Sequence, residues 1–223
     1  MPRPRGKFIT FEGLDGCGKT TQLKKLAEAL RRQGIEVVAT REPGGTPIGE
    51  RVRAVLLDSR TKGLAPLAEL ALMFASRAQQ IHEVIEPALR SGRWVLCDRF
   101  TDSSEAYQGG GRQLGAQTVL TLHRVLCGNL HPDLTILMLS DPKRSVLRAR
   151  GRNERNRHIA DEGRFELEKA AFFQRVCKSY LAIARREPKR VVKVESTRAI
   201  PVVQAEIWQA VQTRLLGRKA PAR

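Results

Sequence analysis

The chain has 223 residues, 41% of them hydrophobic, and 40 Lys and Arg against 23 Asp and Glu give it a net charge of +17. That length buries one good-sized core. The sequence holds neither an 18-residue apolar run to span a membrane nor, behind its basic N-terminus, the apolar stretch and cleavage site of a signal peptide. The charge predicts polyanionic partners, phosphorylated small molecules or nucleic acid, but aromatics are only 5% and no basic run is interleaved with stacking rings, so a nucleic-acid reading rests on charge alone.

The first predicted strand is Phe8–Glu12, and a glycine-rich loop follows it directly. Gly13, Leu14, Asp15, Gly16, Cys17, Gly18, Lys19 and Thr20 make a complete G-x-x-x-x-G-K-[ST] sequence. Such a loop turns successive backbone N–H groups inward around phosphate oxygens. Lys19 adds a positive charge near the β- and γ-phosphates, and the Thr20 hydroxyl is placed for Mg²⁺. Thr20–Gln33 continues with apolar residues at helical spacing, so a bound phosphate also meets a helix N-terminus. Cys17, beside that N-terminus, is expected to have a lowered pKa.

A second strand, Glu36–Thr40, runs into Arg41-Glu42-Pro43-Gly44-Gly45-Thr46, a tight turn that offers Arg41 as a phosphate clamp. Helical patterns cover Pro47–Leu57 and Pro66–Arg90. The strand Trp94–Asp98 ends in a carboxylate, a Walker-B pattern that holds Mg²⁺ directly or through water. The bland alternative for Asp98 is a helix cap. Arg99 then stands at the carboxyl end of a parallel strand, where open α/β sheets bind ligands, and its planar guanidinium suits phosphate. Ser103, Ser104, Tyr107 and Gln108 share one helical face that can hydrogen-bond a sugar or base, with Gly109–Gly111 expected to release the chain afterwards.

Beyond lie a helix at Gln117–Leu126, a strand at Leu134–Leu139, a helix at Phe165–Arg186, a strand at Val191–Glu195 and a helix at Ile200–Leu216. Between the second and third of these, Arg148–Gly163 is densely charged. It reads either as a solvated loop or as a lid carrying arginines over ATP. Strand and helix alternate throughout, which predicts right-handed crossovers and a three-layer α/β/α P-loop NTPase fold around a five-stranded parallel sheet. We expect a single domain over residues 1–223, with a small arginine-rich lid at about 148–164 and a basic tail at 218–223. The four cysteines, Cys17, Cys97, Cys127 and Cys177, show neither metal spacing nor a disulfide framework and fit reduced thiols in the cytoplasm. Cys97 and Cys177 read as buried small hydrophobes.

Taken together, Phe11–Gln22, Thr40–Thr46, Asp98-Arg99-Phe100, Ala106–Arg112 and Pro132–Thr135 resemble the thymidylate kinase (dTMP kinase) family in order and spacing, over nearly the whole chain. The resemblance implies transfer of the γ-phosphoryl group of ATP, with Mg²⁺, to dTMP, and a homodimer without nucleic-acid or membrane partners. It implies that Asp15 lies close to the substrate sugar, that Arg99 and Arg41 clamp the dTMP phosphate, and that Arg77 reads a thymine carbonyl. Tyr107 would crowd the ribose 2′ position, Ser104 and Gln108 would complete the pocket, and Arg164 and Glu166 match an Arg-x-Glu pattern after the lid.

Three departures stand out. Where relatives place an aromatic four residues before the thymine-reading arginine, this chain has Met73 with Phe74 beside it, and either side chain could stack on the base. Gly163 replaces the usual Asp. Gly16 stands where some relatives carry a P-loop arginine, so the catalytic charge is expected from the lid: Arg152 foremost, Arg155 and Arg157 in reserve, with Arg148 and Arg150 nearby. The runner-up readings are another deoxynucleotide or deoxynucleoside kinase of this fold and a nucleic-acid-binding P-loop ATPase.

Overall fold

Five parallel strands form one sheet in the order β2-β3-β1-β4-β5: β1 (Phe8–Glu12), β2 (Val37–Arg41), β3 (Trp94–Asp98), β4 (Leu134–Leu139) and β5 (Val191–Glu195). The computed structural model describes residues 4–61, 63–156 and 163–217. The central strand β1 is buried along its whole length, which is why it reads as a continuous apolar run rather than an alternating one. The edge strand β2 begins one residue later than its sequence pattern predicts and is only partly buried.

The helices are α1 (Lys19–Arg32), α2 (Pro47–Leu57), α3 (Pro66–Gln80), α4 (Glu86–Arg90), α5 (Thr101–Ser104), α6 (Ala116–Leu126), α7 (Pro142–Asn156), α8 (Ala170–Arg186) and α9 (Ile200–Leu215). Leu23, Leu26, Ala27 and Leu30 of α1 and Val203, Ile207 and Val211 of α9 pack on one side of the sheet against Ile9, Phe11, Leu96 and Ile136. Phe8, Val95 and Cys97 point the other way, into a core built with Leu70, Phe74 and Val119. Beside it, Leu137 packs with Phe172, Val176, Tyr180 and Ile183 of α8. Strand alternation thus produces the three layers.

Register decides where the loops open. Phe11 lies opposite Asp98, and Asp98 opposite Arg41. Strands β1, β2 and β3 therefore end flush, and the three loops after them share one edge.

Several elements depart from the sequence reading. The expected helix at Pro66–Arg90 is α3 and α4 joined by a π-helical turn at Ile81–Ile85. The first half of the charged stretch after Arg148 is helical rather than a loop, because α7 runs through it to Asn156. The start signal for α7 was present: Pro142 sits in the first turn and the Asp141 carboxylate accepts from the Arg144 amide at 2.8 Å. Its apolar face is too narrow for periodicity to reveal. The pattern at Phe165–Arg186 is split into a 3₁₀ turn at Arg164–Leu167 and α8.

The triple glycine does not release the chain, which continues as a π-helical segment through Glu105–Gly111. Its small size serves close packing: a Cβ on Gly110 would sit 1.9 Å from Ser179 Oγ on α8. Cys97 and Cys127 are buried and Cys177 is half-buried. Among the described residues, no helix is long and apolar enough to cross a membrane.

Candidate active site

The loop after β1 wraps the N-terminus of α1. Lys19 is buried, and its ammonium donates to the carbonyls of Gly13 (3.1 Å) and Leu14 (2.8 Å), 4.0 Å from Asp15. The Thr20 hydroxyl donates to Asp98 Oδ2 at 2.7 Å, bringing both expected Mg²⁺ residues together. Asp98 does not cap a helix, since α5 starts only at Thr101. A hydroxyl and one carboxylate at this distance fit a cation that takes its remaining oxygens from nucleotide phosphate and water. The described residues contain no group of three or more Asp, Glu, His or Cys able to hold a metal alone.

Gly16 has a left-handed backbone (φ +78°), and a Cβ there would come within 2.3 Å of the Ser145 carbonyl and 3.1 Å of the Ala149 amide. Helix α7 therefore rests directly on the P-loop, in space that a side chain at position 16 would claim. Arg148 and Arg150 lie on this helix, as do the backbones of Arg152 and Arg155. The side chains of Arg152, Arg155 and Glu166, and all of Arg157, lie outside the described residues. Cys17 reverses its expectation. It is 2% exposed, and burial raises its thiol pKa more than Lys19 and Arg99 lower it.

A cavity opens beside the P-loop, lined by Asp15, Glu42, Pro43, Arg53, Leu57, Met73, Arg77, Arg99, Ser103, Ser104, Tyr107, Gln108 and Phe165. Arg99 dominates it. Its backbone is left-handed (φ 74°), a conformation uncommon outside glycine and often found at functional sites. Its Nη2 donates to Asp15 Oδ1 (2.8 Å) and the Tyr107 hydroxyl (3.2 Å), while Nη1 reaches Ser103 Oγ (2.9 Å) and the Tyr180 hydroxyl (3.3 Å). The guanidinium also lies 4.9 Å from the Tyr107 ring centroid. Burial works against the Arg99 charge, but Asp15, the two phenols and Asp98 outweigh it and hold its pKa well above the usual value. Burial correspondingly pushes the Tyr107 hydroxyl up, so it stays neutral.

Arg77 is 2% exposed and forms an ion pair with the equally buried Glu42, Nε to Oε2 at 2.6 Å. Its Nη2 donates to Phe100 O and Ser104 Oγ, and its plane stacks 4.6 Å from the Phe74 centroid. Burial pushes the Glu42 carboxyl up to about 6, and Arg77 pulls it back. Arg77 Nη1 has no partner although it is buried. A guanidinium N–H lining a cavity without an acceptor marks a place where a ligand oxygen completes the set.

Two expected site residues lie elsewhere. Phe74 is wholly buried under Arg77 and does not line the cavity, whereas Met73, one residue earlier on α3, does. Arg41 turns outward and pairs with Glu50 of α2 at 3.0 Å, bracing the Gly44-Gly45 turn from the surface. On that side the cavity instead receives Arg53 of α2, whose Nη1 donates to Pro43 O at 2.9 Å.

Other groups escaped the sequence reading because only the fold assembles them. Glu69, fully buried on α3, accepts from Gln108 (2.8 Å), Arg112 (3.1 Å) and Arg164 (2.8 Å). It thereby ties the residue after the expected lid to the cavity wall. Arg164 also donates to the Leu56 carbonyl. Glu12, the last residue of β1, accepts from the Phe100 amide (2.8 Å), Ser103 Oγ (2.5 Å) and the Tyr180 hydroxyl (3.2 Å). Burial, then Asp102, pushes its carboxyl up to about 8.

The glycine-rich loop, the Thr20–Asp98 contact and an arginine-walled cavity thus lie at the same end of the sheet. A family model described as thymidylate kinase matches residues 11–207. The chain belongs to the thymidylate kinase family. A curated thymidylate kinase from Alkalilimnicola ehrlichii is 46% identical over 207 residues, covering 93% of each chain. One from Bordetella pertussis is 48% identical over 209 residues, covering 94% of this chain and 96% of the other. A crystal structure of thymidylate kinase from Ehrlichia chaffeensis superposes with a TM-score of 0.73 at 32% identity, covering 94% of this chain and 99% of that one. Fold class and enzyme class, a P-loop nucleoside monophosphate kinase, thus agree with the sequence reading.

Proposed function

We propose that this chain transfers the γ-phosphoryl group of ATP to dTMP, giving dTDP and ADP, with dTMP seated in the Arg99–Arg77 cavity and ATP on the P-loop. The single observation that carries this is the position of Arg99 between the two. It touches the P-loop carboxylate Asp15 on one side and the cavity-wall Ser103 and Tyr107 on the other.

Arg99 and Arg53 bind the acceptor phosphate, and the free Arg77 Nη1 donates to a thymine carbonyl, with Met73 against the base. Tyr107, pinned between Arg99 and Asp15, fills the space beside the sugar and disfavours a 2′-hydroxyl. The acceptor is already an anion, so no side chain has to remove a proton. Catalysis rests on in-line positioning and on charge neutralisation. Lys19 moves from its loop carbonyls to the donor phosphates, and Arg152 of the 148–164 lid supplies charge to the transferring group. Thr20 and Asp98 hold Mg²⁺, which when bound neutralises charge on the donor phosphates.

One steady-state experiment tests both halves. Wild-type protein is expected to release ADP with dTMP, more slowly with dUMP, and not with UMP, thymidine or single-stranded DNA. Arg152→Ala is expected to lower kcat about 10³-fold while changing the dTMP KM far less. Preference for another acceptor removes the thymidylate reading of Arg77 and Tyr107, and a full-rate Arg152→Ala moves the role to Arg155 or Arg157.

A homodimer fits the surface. Ile48 and Val55 on α2, Leu67 on α3 and Val125 and Leu126 on α6 are all exposed by 44–72%, on helices that pack side by side. A monomeric mass by light scattering at micromolar concentration removes this reading. Reduced, unpaired cysteines support a cytoplasmic site.

A further inference from the structure

We propose that Glu12 is the positioning residue of the acceptor-phosphate clamp, acting through the backbone and hydroxyl contacts that hold Arg99 in place. The inference rests on the reading of Arg99 as that clamp.

Arg99 has two features that need external support. Its left-handed backbone is disfavoured for a side chain of this size, and its guanidinium, on a side chain only 14% exposed, is largely withdrawn from water. The end of β1 supplies the backbone support. The Arg99 amide donates to the Phe11 carbonyl at 2.9 Å, and the next amide, Phe100, donates to Glu12 Oε1 at 2.8 Å. Adjacent residues of one strand thus pin both amides of the turn.

Glu12 Oε2 holds the side-chain support. It accepts from Ser103 Oγ at 2.5 Å and from the Tyr180 hydroxyl at 3.2 Å, and these hydroxyls lie 2.9 Å from each other. Both take Arg99 Nη1, at 2.9 and 3.3 Å. A single fully buried carboxyl therefore fixes the turn from beneath and aligns the two hydroxyl oxygens toward the arginine. Glu12 does not line the cavity, so its influence on dTMP passes through Arg99. A carboxyl serving only as a core strut would have no reason to gather one donor beside the Arg99 backbone and two that both meet its guanidinium.

The test compares Glu12→Gln, Tyr180→Phe, Arg99→Lys and the Glu12→Gln/Arg99→Lys double variant by kcat, KM for each substrate and thermal midpoint. Glutamine keeps the shape and the Oε1 acceptor but puts an NH2 donor where Oε2 accepts from both the Ser103 and Tyr180 hydroxyls. Glu12→Gln is expected to raise the dTMP KM about tenfold, the cost of leaving those buried hydroxyls without their shared acceptor. The ATP KM and kcat should stay within about threefold. Tyr180→Phe should raise the dTMP KM in the same selective way, by about threefold.

In the double variant, the two losses should fail to add, because both act at one contact. Additive losses, an unchanged dTMP KM, or equal rises in both KM values with a lowered thermal midpoint overturn the proposal. Should Glu12→Gln not fold, an unchanged dTMP KM in Tyr180→Phe overturns it on its own. Failure of the underlying reading shows separately, as an Arg99→Lys enzyme with normal dTMP KM.

Discussion

Replacing Arg99 with alanine lowers kcat/KM for dTMP about 10³-fold, the largest loss expected from any cavity residue, with the ATP KM within about threefold of wild type. Two effects combine. The acceptor dianion loses a desolvated, bidentate partner. The variant also leaves Asp15 and the hydroxyls of Ser103, Tyr107 and Tyr180 without the cation around which they are arranged. The Asp15 carboxylate, without its Arg99 partner, then faces the incoming phosphate, adding repulsion to the lost attraction. Arg99→Lys keeps the charge but cannot span the oxygens on both sides with a single ammonium, so it recovers only part of the loss. Calorimetric titration of dTMP in the absence of ATP separates binding from turnover. Wild-type dTMP affinity in Arg99→Ala would falsify the clamp.

Lys19→Ala shows the opposite split. Its kcat should fall about 10²–10³-fold, since charge aimed at the transferring phosphoryl group is worth most in the transition state. dTMP binding should be unchanged, because Lys19 faces the P-loop carbonyls and not the acceptor cavity. The ammonium already sits within the loop that cradles donor phosphate, so exchanging two carbonyl hydrogen bonds for phosphate oxygens requires only side-chain rotation. Lys19→Arg should not restore activity, as a guanidinium is too large for a site this buried. Stopped-flow measurement of one turnover at saturating ATP isolates the step. A wild-type single-turnover rate with a raised ATP KM would reduce Lys19 to a ground-state contact.

The two expectations place the chemistry on opposite sides of Asp15, which touches Arg99 at 2.8 Å and lies 4.0 Å from Lys19. With dTMP and ATP seated as proposed, Asp15 divides the acceptor site from the donor site. Helix α7 lies over the donor side at Gly16, in line with a family type whose catalytic arginine comes from the lid rather than the P-loop.

Much of this was legible in the amino-acid sequence alone. The P-loop could be read because cradling a phosphate with backbone N–H groups demands consecutive residues with fixed glycines, so the chemistry is written locally. The strands could be read because a sheet covered on both faces needs near-continuous apolar runs, and the Walker-B aspartate because it must end one of them. Thr20 and Asp98 lie 78 residues apart, yet each ends a recognisable local pattern, and their contact followed from the fold class.

Tertiary structure decided what depends on partners distant in the chain. Arg41 and Arg53 are equally basic in sequence. Only the outward turn of the first onto Glu50, and the inward face of α2, assign the cavity to the second. Met73 and Phe74 are adjacent, and the helical rotation between them sends one to the cavity and the other beneath Arg77. The buried carboxyls of the site, Glu42 bonded to Arg77 across 35 residues and Glu12 to Tyr180 across 168, carry no local signature. A buried charge is tolerated only where the fold delivers its counter-charge and donors, and that delivery is a property of packing rather than of any segment.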